Sequence, residues 1–88
     1  MVERSVQILN RHGLHARPAA EVVKVASRFA SEITITRDDL EVNGKSIMGV
    51  MMLAAEFGAI ITLRAEGADA EAALEALAAL VAARFGEG

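Results

Sequence analysis

Four short strands and three helices in the order β-α-β-β-α-β-α predict an α+β fold, an antiparallel sheet covered by helices on one face only. Two patterns carry this expectation. Four segments alternate apolar and polar residues at period two, so each strand has a buried side and a wet side. Between and after them, three segments repeat apolar residues at helical spacing. The 88 residues allow one core, and are too few for a second domain or a deep enclosed active site, so residues 1–88 are read as a single domain.

Val2, Val6 and Ile8 alternate with Glu3, Ser5 and Gln7 in the first strand, with Arg4 an exception on the inner side. Asn10-Arg11-His12-Gly13 reads as a loop. From Pro18, whose missing N–H costs nothing in a first helical turn, Ala19, Val22, Val23, Ala26, Phe29 and Ala30 recur at helical spacing. Ile33 and Ile35 alternate with Thr34 and Thr36 in the second strand. Arg37-Asp38-Asp39 turns the chain into a third strand holding Leu40 and Val42, and Asn43-Gly44 ends it. Ser46 is placed to cap a short helix from Ile47 to near Leu53. After a loop containing Gly58, Ile61, Leu63 and Ala65 alternate with Thr62 and Arg64 in the fourth strand. Gly67-Ala68-Asp69 leads into the last helix, where Leu74, Leu77, Val81 and Phe85 form the apolar stripe. Glu71 and Glu75 lie outside it, and acidic residues early in a helix suit its dipole.

Composition excludes several function classes. Without cysteine there is no disulfide, thiol nucleophile or cysteine-based zinc site. A net charge of -3 with only Phe29, Phe57 and Phe85 as aromatics does not suit nucleic-acid binding, which favours a basic face with stacking rings. Met1-Val2-Glu3-Arg4-Ser5 lacks a signal peptide's apolar stretch, and no run has the ~18 apolar residues of a membrane helix. A cytoplasmic protein without membrane insertion is expected.

The segment Gly13-Leu14-His15-Ala16-Arg17-Pro18-Ala19 is the most informative. It puts a histidine at the mouth of a helix, where the first N–H groups have no intrahelical partner and favour an anion. The same field disfavours added positive charge on the ring, and a neutral ring nitrogen needs no general base to attack phosphorus. The Arg17 guanidinium is a fork that matches phosphate oxygens. Spacing alone leaves phosphoryl acceptance on His15, phosphate binding without covalent chemistry, and a plain capping or surface histidine all open. His12 and His15 do not make a metal site, because Gly13 interrupts any helix between them and no third ligand is evident. No Walker-type loop or acidic magnesium cluster is present, so the chain is not expected to use ATP by itself, and no cofactor or metal is expected.

Asn43-Gly44-Lys45-Ser46-Ile47-Met48-Gly49-Val50-Met51-Met52-Leu53 is the second informative stretch. Its apolar residues cannot all face one core. Methionine recurs on surfaces that accept several partners, so part of this helix is expected to dock proteins, the alternative being a fully buried linking helix. Ser46 serves as an N-cap, and it is also a candidate phosphorylation site whose added charge would repel an acidic partner without refolding the domain.

The two segments, at this separation and in this element order, resemble the HPr family of the bacterial phosphoenolpyruvate-dependent sugar phosphotransferase system. The likeness covers essentially the whole chain. It implies an open-faced β-sandwich, a four-stranded antiparallel sheet with three helices on one face. It further implies a phosphocarrier that is not itself an enzyme, with His15 phosphorylated on Nδ1 by Enzyme I, steadied by Arg17, and discharged to sugar-specific IIA proteins or domains. Ala16, Ala20, Lys24, Ile47, Met48, Met51 and Met52 would form the shared docking face. Ser46 resembles the phosphoserine site of the HPr kinase/phosphorylase, through which the family assists a catabolite repressor. A monomer suits a protein that shows one face to several partners. Three positions depart from the family pattern and bear on partner choice: Ala54 where glycine is common, Phe57 where polar residues are, and His12 near the site. A purely regulatory phosphoprotein, as in nitrogen-related paralogues, an interaction module working through Ser46 alone, and a small ligand-binding domain are the other readings.

Overall fold

The structure, a computed structural model, describes residues 1–87. The elements are β1 Val2–Gln7, α1 Ala16–Ala26, β2 Glu32–Arg37, β3 Leu40–Asn43, α2 Ile47–Met52, β4 Ile60–Glu66 and α3 Ala70–Ala82, followed by a short 3₁₀ turn at Arg84–Gly86. The four strands form one antiparallel sheet in the order β1-β4-β2-β3. The period-two pattern decides which face is covered. Ile33, Ile35, Val42, Ile61, Leu63 and Ala65 are buried beneath the helices, where Ala19, Val22, Val50, Leu74 and Leu77 meet them in one core. Burying each of the larger aliphatic side chains stabilises the fold by roughly 1.5–3 kcal/mol. The opposite face is polar, with Ser5 bonded to Thr62 across the sheet (3.2 Å) and Arg64 paired with Glu3 (2.8 Å).

Arg4 does share the buried-side row, since it pairs with Leu63. It remains exposed because β1 is an edge strand, and its side chain borders Glu71 and Glu75 of α3. Two helices are shorter than their apolar spacing predicts. Ser27 ends α1, so Phe29 and Ala30 lie in the turn that follows rather than on the helix. Phe85 is buried, but it lies beyond α3, in a segment where Arg84, Phe85 and Gly86 all have positive φ (57°, 54° and 78°). Periodicity carried on past both helices because a buried apolar residue at the right spacing looks the same whether or not the backbone is still helical.

Three polar clamps join elements distant in sequence. The Asp69 carboxylate accepts from the backbone N–H groups of Ala30 and Ser31 (2.9 Å each) and from the Ser31 hydroxyl, tying the start of α3 to the α1–β2 connection. Arg37 donates to the carbonyls of Leu53 (3.1 Å) and Ala54 (2.7 Å) and pairs with Glu56, closing the C-terminal end of α2. Lys45 reaches the Phe29 carbonyl (2.7 Å).

Candidate functional site

The loop between β1 and α1 is set by Gly13. Its φ of +67° is the left-handed region, and a Cβ there would run into the Ala55 carbonyl oxygen and approach the Glu56 Cα at 2.9 Å. Only glycine lets this loop lie against the segment after α2, where Leu14 N–H donates to Ala55 O (2.8 Å) and the Leu14 side chain is buried. His15 then becomes the N-cap of α1 in an extended conformation (φ −76°, ψ −172°), its carbonyl accepting the first helical bond from Ala19 N–H (3.0 Å).

The His15 ring does not cap the helix. Ala16 and Arg17 therefore keep first-turn N–H groups with no intrahelical partner, while Pro18 has none to offer. Arg17 is exposed, and no ion pair engages its guanidinium among the described residues. The exposed His15 and Arg17 and these amides all belong to the start of α1, where an anion would gain charge and donors.

The sequence did not reveal the ring's partner. His15 Nε2 lies 2.9 Å from Glu87 Oε2 and 3.2 Å from Oε1. Asn10, completely buried, donates through Nδ2 to Glu87 Oε1 (3.0 Å) and to the Gly13 carbonyl (2.7 Å). Burial tends to raise the Glu87 carboxyl, but the hydrogen bonds from His15 and Asn10, with the nearby Arg17 guanidinium, hold the group below the usual carboxylate range. His12 is exposed, and its ring stands edge-on to His15 at 6.0 Å between centroids. No group of three or more metal-ligating side chains occurs among the described residues.

The second predicted segment stands on α2, which packs beside α1. Ser46 is its N-cap, its hydroxyl accepting from Gly49 N–H (3.0 Å). Val50 and Leu53 are buried, whereas Ile47, Met48, Met51 and Met52 are exposed, Met48 by 74%. Ala16, Ala20 and Lys24 are exposed on α1. Of the departures, Ala54 adopts φ +48°, a left-handed exit from α2 that glycine would take without strain. Phe57 is 63% exposed rather than tucked inward.

Residues 2–83 match the family described as the PTS HPr component phosphorylation site. The chain belongs to the HPr family. It is 48% identical to the phosphocarrier protein HPr of Cupriavidus necator, over 100% of this chain and 99% of that one. It is 52% identical to the HPr-like protein Crh of Halalkalibacterium halodurans, over 92% and 96% of the two chains. The crystal structure of HPr-C-His from Thermoanaerobacter tengcongensis superposes with a TM-score of 0.96 at 48% identity, covering 100% of this chain and 99% of that one. HPr membership makes this chain a phosphocarrier of the phosphotransferase system and not an enzyme in itself. The open-faced sandwich is likewise the HPr fold. No helix among the described residues is long and apolar enough to cross a membrane.

Proposed function

We propose that His15 is the phosphoryl station of this carrier, accepting from Enzyme I charged by phosphoenolpyruvate and donating to IIA proteins or domains of sugar permeases. The observation that supports this reading is an N-cap histidine whose ring is not used for capping, next to an arginine in no ion pair and two first-turn amides without a hydrogen-bond partner among the described residues. In the transfer, His15 Nδ1 forms a bond to phosphorus as the donor's bond to phosphorus breaks, and the electron pair of that bond leaves with the donor. Arg17 and the amides hold the three phosphoryl oxygens, whose charge must be stabilised in a loose transition state.

The docking face is Ala16, Ala20 and Lys24 on α1 with Ile47, Met48, Met51 and Met52 on α2. Partners supply the rest of each transfer site, because the carrier presents an open surface. Phosphorylation of Ser46 by a kinase of the HPr kinase/phosphorylase type would exchange a hydroxyl cap for a charged one at the edge of this face. That charge would discourage an acidic partner and could serve a catabolite repressor. Residues 1–88 act here as one domain, monomeric and cytoplasmic.

The test is intact mass after incubation with phosphoenolpyruvate and a compatible Enzyme I. One acid-labile phosphate on the wild type and none on His15→Ala is the expected outcome; labelling of that variant would place the station elsewhere. Ser46→Asp should weaken Enzyme I binding in a titration, and unchanged affinity would remove Ser46 from the docking face.

A further inference from the structure

We propose that Glu87 is a positioning residue for His15, fixing the ring so that Nε2 carries the proton and Nδ1 presents its lone pair to phosphorus. The inference deepens the phosphocarrier reading and rests on it. A carboxylate can only accept, so a neutral imidazole bonded to it at 2.9 Å must hold its hydrogen on Nε2. The same contact limits rotation of a ring that is otherwise 42% exposed.

The surrounding structure is arranged to keep the carboxylate there. Both acceptors of Asn10 Nδ2, the Gly13 carbonyl and Glu87 Oε1, demand an N–H donor, which settles the orientation of the amide. That orientation leaves Asn10 Oδ1 buried with no partner among the described residues. An orphaned buried acceptor is a destabilising feature that calls for a reason. Here the reason is that the amide's two hydrogens serve the loop and the carboxylate at once. The chain segment bearing Glu87 is also strained. Arg84 and Phe85 are non-glycine residues at φ 57° and 54°, each a conformation that L side chains adopt at a cost. The buried Phe85 ring and the bond from Glu87 N–H to Arg84 O (2.8 Å) hold this turn in place and return the chain to His15.

The transfer step balances with this arrangement. Nδ1 supplies the electron pair of the new P–N bond, the donor keeps the pair of the broken bond, and no proton has to leave His15. The phosphorylated ring retains its Nε2 hydrogen and becomes cationic, with the Glu87 carboxylate as counter-charge and hydrogen-bond acceptor. Glu87 never touches phosphorus; it acts through the ring.

Two measurements on the full chain test this, with Glu87→Ala beside the wild type. Nitrogen-15 spectra of the free protein report the His15 tautomer without any partner. We expect the wild type to show only the Nε2–H form and the variant a mixture of both tautomers. Phosphorylation by Enzyme I should then show a kcat lower by roughly tenfold with KM unchanged, as for other groups that orient a histidine. An unchanged tautomer population, or a loss confined to KM, would overturn the assignment. Should wild type accept no phosphoryl group at all, the carrier reading falls by that result alone, and the spectra still decide whether Glu87 sets the tautomer.

Discussion

The N-termini of α1 and α2 lie on neighbouring helices and are finished in opposite ways. At α2, Ser46 spends its side chain on Gly49 N–H, which stabilises a six-residue helix that has little else to hold its first turn. At α1, His15 occupies the same position and caps nothing, because its ring is turned to Glu87. At α2 the side chain takes the N–H of the third helical residue, whereas at α1 that residue is Pro18, which has no N–H to offer, and the His15 ring goes elsewhere. The uncapped end tolerates this because Gly13 and Leu14 brace the loop from behind, and because an 11-residue helix with a buried face can forgo a cap. The proposed phosphoryl station is thus a helix end left uncapped by the side chain that could have capped it.

The comparison can be broken most severely at its brace. Gly13→Ala adds a Cβ against the Ala55 carbonyl at a left-handed position, so it should cost about 3 kcal/mol and disturb the entry to α1. Urea unfolding would measure it, and a loss near zero would mean that the loop can move aside. Exchanging the caps comes next. Ser46→Ala should cost about 1 kcal/mol, whereas His15→Ser should gain about 0.5 kcal/mol while abolishing phosphoryl acceptance, since serine finishes the helix but cannot carry the group. If His15→Ser destabilised as much as Ser46→Ala, the uncapped terminus would not be a concession to function. At the other end of α2, Ala54→Gly should stabilise by about 0.5 kcal/mol by relieving φ +48°; thermal melting resolves the sign.

The smallest effect is a pH dependence. Asp69 lies below the usual carboxylate range chiefly through the Ser31 hydroxyl, then the Ala30 N–H, and Glu87 is lowered as described. On acidification the unfolded carboxylates protonate first, so the stability these groups contribute is present above their ordinary values, about pH 4, and is lost as pH falls through the lower folded values. Asp69→Asn should therefore melt with a shallower acid dependence below about pH 4 than the wild type. Parallel acid limbs would show that the clamp does not contribute through its charge.

Legibility divided by range. The strands could be read from two-residue alternation in Ile33–Ile35 and Ile61–Leu63–Ala65, and the short helix from Ser46 and the run after it, because each signal lies within a few residues. Helix ends were less clear: Phe29 and Phe85 keep the apolar spacing after the backbone has left the helix. Arg37 gave no local sign that it would close α2, sixteen residues on. At the proposed site, the residues read as the phosphoryl station, His15 and Arg17, lay within five consecutive positions of the chain, but the ring's orientation did not show there.

The sequence by itself determined the antiparallel α+β layer, the histidine and arginine at the mouth of α1, and a capped, apolar α2 beside them. Those features depend on backbone periodicity and on side chains next to one another in the chain. Only the tertiary structure decided that Glu87 meets His15 across 72 residues and that Asn10 holds it there. Such a contact leaves no periodic trace, because it arises where α3 ends, how a strained turn reverses the chain, and which buried amide has a hydrogen to spare.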